Sequence, residues 1–187
     1  MSAPDSLYEQ IRLDLWAWIN DFVTQPNEFY HFKFPPCPFA RQAVLQKTVD
    51  VQVWQSGDVQ SFIRSQSIEM RDSANLTTRV MGFPPRIQFQ WGINDFVENL
   101  NAELISDDVF LNTGLAKTSK SRYPGSNPKD PYFIVVANSL AAVLSGAEAL
   151  KKSDYYKDWP ADHFAIVVER RERMAKLYGE KKSGAKP

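Results

Sequence analysis

The sequence predicts a single small α/β domain, with helices packed on a sheet of three or four strands, and three observations carry that prediction. Thr48 to Trp54 sets Val49, Val51 and Val53 on alternate positions, the two-residue period of a strand. Leu7, Ile11, Leu15, Trp18, Ile19 and Phe22 recur at three- and four-residue steps, the period of a helix. Segments of the two periods then take turns along the chain, with no internal repeat and no linker to divide them.

Taken in order, Asp5 or Ser6 caps the first helix, which runs until Pro26 approaches. Glu28 to Pro36 is rich in rings (Phe29, Tyr30, Phe32, Phe34) and reads as an extended lead-in that two prolines close. Pro38 suits the first position of a helix, because its missing donor has no partner there anyway, so Phe39 to Gln46 is expected to be a short helix capped at Cys37. After the strand at Thr48 to Trp54, Asp58 caps a short helix carrying Val59, Phe62 and Ile63, followed by a polar stretch to Asn75. Thr77 to Gly82 reads as a second strand, Gly92 to Ser106 as a helix with Ile93, Phe96, Val97, Leu100 and Leu104 inward, and Val109 to Leu111 as a short third strand.

Residues 116–130 form a loop rich in Ser, Pro, Gly and Lys, of a length that tends to be functional or disordered. Asp130 and Pro131 read as the cap and first residue of a helix reaching Leu144, although the β-branched run Ile134-Val135-Val136 leaves a strand open there. Pro160 opens a last helix, in which Glu169 to Arg173 reads as solvated. The domain is expected over 1–178, with a disordered tail at 179–187. A ferredoxin-like sandwich is the arrangement these elements suggest first.

Composition narrows the function classes. Lys plus Arg and Asp plus Glu number 22 each, so no net field recruits nucleic acid or an anionic membrane. Aromatic residues make up 13% of the chain, which argues for a packed core rather than a disordered regulator. One cysteine cannot make an internal disulfide, no leader pattern opens the chain, and no apolar run nears the about 18 residues that span a bilayer. A cytoplasmic protein is the expectation. His31, Cys37 and His163 are too scattered for a zinc spacing, and neither metal nor cofactor is expected.

The order of elements, together with Cys37-Pro38-Phe39-Ala40, Thr77-Thr78 entering a strand, Asp95-Phe96 in the next helix and Asp130-Pro131-Tyr132 after the loop, resembles an uncharacterised bacterial family. That domain-of-unknown-function family is built around a Leu-Cys-Pro-Phe-Ala turn, and the likeness runs from Trp16 to about Ala142. In the family a Phe-His-Pro segment follows the third strand and an Asn-Arg-Ser-Pro-Tyr-Pro segment opens the later helix. Here those places read Asn112-Thr113-Gly114 and Lys129-Asp130-Pro131-Tyr132, and no histidine lies between His31 and His163. The resemblance therefore implies fold rather than activity.

Two stretches could carry chemistry. A cysteine at a helix start meets the positive end of the helix dipole and unpaired N–H groups, which favour a thiolate; Cys37 is then a candidate nucleophile, His31 its base and Arg41 an anion holder. Lone cysteines are also commonly small buried residues, which is the bland alternative. In the long loop Lys117, Lys120, Arg122 and Tyr123, with Tyr132 beyond it, could hold a phosphate or carboxylate, or simply face water. The expected function is binding of a small anionic ligand or substrate near the Cys-Pro loop, with thiol-based chemistry. The alternative is a non-catalytic protein acting through a protein partner or as a homo-oligomer.

Overall fold

A computed structural model describes residues 6–26, 28–84, 92–114 and 132–179. Helix α1, Leu7–Trp18, starts where Ser6 Oγ accepts the Glu9 N–H at 3.2 Å, satisfying one of the donors that every helix start leaves unpaired. Ile11 and Leu15 turn inward, and the winding then loosens into a π-helical turn at Ile19–Val23, where the Thr24 N–H reaches back to the Ile19 carbonyl. Helix α2, Pro38–Leu45, has Cys37 at its cap position and proline inside its first turn, as its sequence predicts.

Strand β1, Val49–Val53, is followed by helix α3, Val59–Asp72, whose first turn is tied by the Asp58 carboxylate accepting the Ser61 N–H at 2.7 Å. This helix is longer than its sequence suggests. Ile63, Ser67 and Met70 extend the buried stripe through residues that read as polar, and the Ser67 hydroxyl is satisfied by donating to the Ile63 carbonyl at 2.7 Å. Strand β2, Thr78–Phe83, helix α4, Ile93–Leu104, and strand β3, Val109–Gly114, come next. Strand β4, Phe133–Ser139, takes the strand alternative at Ile134-Val135-Val136. Ser139 stops it and caps helix α5, Leu140–Lys151. The chain closes with helix α6, Ala161–Phe164, a second π-helical turn at Ala165–Glu169, and helix α7, Arg170–Gly179. The expected tail beyond Gly179 lies outside the described residues.

The strands form one mixed sheet in the order β1-β2-β4-β3, in which β1 and β2 are parallel and β4 runs antiparallel to both neighbours. The sheet does not confirm a ferredoxin-like sandwich: the parallel pair is directly adjacent across the α3 crossover, not split by an intervening strand. Alternation sorts its two faces. Met81 and Phe83 of β2, Phe133, Val135 and Ala137 of β4, and Val109 and Leu111 of β3 meet α3 and α4 in the larger core. Val51 and Val80 meet Ile11, Leu15 and Ile19 of α1 on the opposite face. A third cluster joins Ile105, Phe110 and Leu140 to Met174 and Ala175 of α7.

Two close approaches set these layers. A Cβ at Gly82 would fall 2.4 Å from Leu15 Cδ1, so a bare backbone there lets α1 lie against β2. A Cβ at Gly146 would fall 1.8 Å from Phe39 Cε1; the Phe39 ring covers that glycine and presses α2, with Cys37 at its start, onto α5. Edge strand β3 is guarded by Asn101, fully buried on α4: its Nδ2 donates to the Leu111 carbonyl at 3.0 Å and its Oδ1 accepts the Leu111 N–H at 2.6 Å.

Candidate functional site

The segment Glu28 to Pro36 is not the extended lead-in that its sequence suggests. It opens with a 3-10 turn at Glu28–Tyr30, and His31 and Phe32 then take left-handed conformations with φ of 51° and 56°. Successive left-handed residues that are not glycine cost about 1–3 kcal/mol each, and such a turn persists only when its surroundings over-determine it. The surroundings here are the short turn Asp154–Tyr156 and the two residues after it.

Four of the five residues from Tyr30 to Phe34 are tied to that turn. Tyr30 stacks flat on Tyr155, with centroids 4.7 Å apart and planes 1° from parallel, and Phe34 meets the same ring edge-on at 5.5 Å. His31 Nε2 stands 3.1 Å from Asp158 Oδ2, and Lys33 Nζ stands 3.8 Å from Asp154 Oδ2. The fifth residue, Phe32, is 69% exposed. A shallow cleft of about 70 Å³ lies between the two segments, walled by Tyr30, Phe34 and Tyr155 and rimmed by His31, Lys33, Asp154 and Asp158. It is well below the about 300–1,000 Å³ usual for small-molecule sites.

Tyr155 fastens the Cys-Pro stretch as well. Its hydroxyl donates to the Pro36 carbonyl at 2.5 Å, and burial holds its phenol far above the ordinary tyrosine value. Cys37 is next: its N–H donates to the Val23 carbonyl at 3.1 Å, and its own carbonyl accepts the Arg41 N–H at 3.3 Å. The N–H groups of Ala40 and Phe39 act on the sulfur as the helix-start geometry predicts, and the Arg171 cation pulls the same way. Burial outweighs all three and pushes the thiol pKa up. The thiolate that its sequence position suggests is thus disfavoured, although the residue as a whole keeps some exposure.

The other expected site residues are dispersed. His31 is exposed, and its Nε2 is taken by Asp158. Arg41 is exposed on α2. Tyr132 donates its hydroxyl to Asp14 Oδ2 at 2.6 Å, and Gln10 Nε2 holds the other carboxylate oxygen at 2.6 Å, so Tyr132 belongs with α1 on that face of the sheet. Lys117, Lys120, Arg122 and Tyr123 lie outside the described residues, as does the loop 116–130. Among the described residues no three His, Cys, Asp or Glu side chains gather to hold a metal, and no helix is long and apolar enough to cross a membrane.

Sequence reasoning missed Tyr155, Tyr156 and Arg171. Arg171 is only 5% exposed, which corrects the solvated reading of Glu169 to Arg173 at that position, while Glu169 and Arg173 at its two ends are exposed. Its Nε and Nη2 have no hydrogen-bond partner, whereas the neighbouring Arg170 pairs with Glu98 and lies over the Phe110 ring at 5.5 Å. A signal was present: Val168, Arg171 and Ala175 fall on one helical stripe, with Val168 fully buried. The five charges in a row concealed it. Comparison with known proteins adds no relative, since no protein-family model, curated protein or solved structure matches the chain.

Proposed function

We propose that the protein is a non-catalytic interaction protein that docks a protein partner through the turn at Phe32. The observation that carries this reading is the display of Phe32. Its neighbours on both sides are tied to the turn at 154–158 by rings and ion pairs, while the Phe32 ring itself is turned to water from a strained backbone. Strain kept in place by contacts at its neighbours, with the Phe32 ring itself left mostly in water, fits a preformed anchor for an apolar pocket on a partner. The rim around it carries both signs of charge, which suits a polar border better than capture of a free anion.

The Cys-Pro stretch supports the same reading from below. Cys37 holds Val23, Pro36 holds Tyr155, and a thiol whose pKa is raised by burial serves better as packing than as a nucleophile. A photo-crosslinking side chain at position 32, used in extract of the source cells, tests the proposal. One discrete adduct is expected, competed away by unlabelled wild-type protein but not by Phe32→Ser, with a self-adduct identifying a second copy as the partner. Labelling no stronger than at the exposed α3 position Gln60 would overturn it.

A further inference from the structure

Arg171 presents a recognition face with nothing on it. Two other arginines show what that face does. Arg12 offers Nε and Nη2 side-on to Glu9, at 2.9 and 2.6 Å, and Arg71 offers the same two nitrogens to Asp72, at 2.8 and 3.2 Å. In Arg171 Nε and Nη2 are the two nitrogens without a partner, and here the side chain is buried while Arg12 and Asp72 lie at the surface. A guanidinium removed from water with its bidentate edge unfilled is costly, and a buried group left so calls for an explanation.

The surroundings are electropositive and aromatic. The N–H groups of Phe39 and Ala40 at the start of α2 act on Cys37, as does the Arg171 cation; Arg171 also acts on the Tyr156 phenol. Tyr156 meets Tyr155 edge-on at 4.9 Å and Trp159 edge-on at 5.0 Å. Glu172, next along the chain, is already engaged by Lys151 Nζ at 2.8 Å. A π-helical turn directly precedes Arg170 and Arg171, and a second one ends at Val23, whose carbonyl holds Cys37; such turns recur at functional sites.

We infer that Arg171 is the anchor of a binding site for a small monocarboxylate, gripped bidentately through Nε and Nη2 beside the start of α2, with the Tyr156 and Trp159 rings against its apolar part. Charge selects the class. One buried cation is neutralised by one carboxylate, whereas a phosphate dianion would leave a net charge in a dry place. Entry requires the covering rings to shift, since both nitrogens are shut off from water. Tyr155, which walls the cleft, meets Tyr156 edge-on. This site is independent of Phe32, so either can fail without the other.

The experiment titrates the whole protein at constant ionic strength with acetate, benzoate and indole-3-acetate, and separately with inorganic phosphate. The readouts are the Arg171 side-chain Nε–H resonance and the melting temperature. At least one monocarboxylate is expected to shift the resonance saturably and raise the melting temperature, with phosphate weaker. Arg171→Lys keeps the charge but loses the paired donors and should bind about tenfold more weakly or worse; Arg171→Met should not bind. An unmoved Nε–H resonance across the series, tighter binding of phosphate, or equal binding by Arg171→Met would each overturn the assignment. The resonance is read on wild-type protein, so the test stands even if a variant does not fold.

Discussion

The two sides of this molecule are held together by different physics. Between the sheet and helices α3 and α4 the contacts are mostly hydrocarbon on hydrocarbon: Asn101 grips Leu111 from both ends, Ser67 answers to Ile63, and the buried Arg79 is held by Gln66, Glu69 and Asp50, with its Nε and the Trp54 Nε1 left without partners. Between the Cys-Pro stretch and the segment from Asp154 to Arg171 the contacts are rings, one short hydrogen bond from a phenol, and ion pairs around a strained turn, with one guanidinium unfilled. The first region spends its residues on stability. The second keeps strain and an unmet polar group that no folding argument explains, which is where a ligand or partner finds something to bind.

Substitutions can break or sharpen that contrast. The largest loss is expected at Phe83, fully buried between Phe62 and Phe133: Phe83→Ala should destabilise by about 3–5 kcal/mol in urea unfolding. Asn101→Leu should follow at about 1–3 kcal/mol for each Leu111 group left without its partner, even though the new side chain is apolar. Tyr155→Phe keeps the stack on Tyr30 and loses only the bond to Pro36. A loss of about 1 kcal/mol by the same unfolding measurement is expected, and a loss as large as that of Phe83→Ala would erase the distinction between the regions.

Titration probes the second region more gently. Alkylation of native Cys37 at pH 8 should run markedly slower than in denaturant, because burial raises its pKa and so removes thiolate. Stability should also fall as pH climbs past the ordinary thiol value of about 8.5, where the unfolded chain gives up a proton that the fold retains. His163, beside the Trp159 ring, has its pKa lowered by burial against the opposing pull of Asp162. Its contribution to stability is present above about 6.5 and is lost as pH falls through the folded value; it is expected to be the smallest effect, and His163→Gln should flatten that part of the urea-midpoint profile.

How much of this was legible in the sequence differs between the same two regions. Part of the larger core follows from period alone, because α4 and β3 each bury one face and the pattern reports which: Ile93, Val97, Leu100 and Leu104, then Val109 and Leu111; β4 does not, since Phe133 to Val136 fits a helical stripe as well as a strand, and the second half of α3 is concealed by its polar residues. Cys37 as the cap of a helix was legible too, from Pro38. The strand order was not, since it depends on which edges meet at long range. The ring joint was not, because the flat stack of Tyr30 on Tyr155 links residues with the rest of the sheet between them in sequence. Arg171 was hidden by its charge, and the π-helical turn before it shifts the phase on which a 3.6-residue stripe is counted.

The position of β4 has a consequence for how the chain assembles. It is a central strand, yet it is the last of the four in sequence, and it pairs with β2 across 60 residues at Thr78 and Asn138. During synthesis β1 and β2 can zip with α3 early, but the flank of β2 that awaits β4 stays open, and β3 has no partner until residues 133–139 emerge. Such non-local closure slows folding and leaves two apolar strand edges available to other chains in the interval. A fragment that ends after Gly114 but before Phe133 is therefore expected to aggregate rather than fold, although it holds three of the four strands.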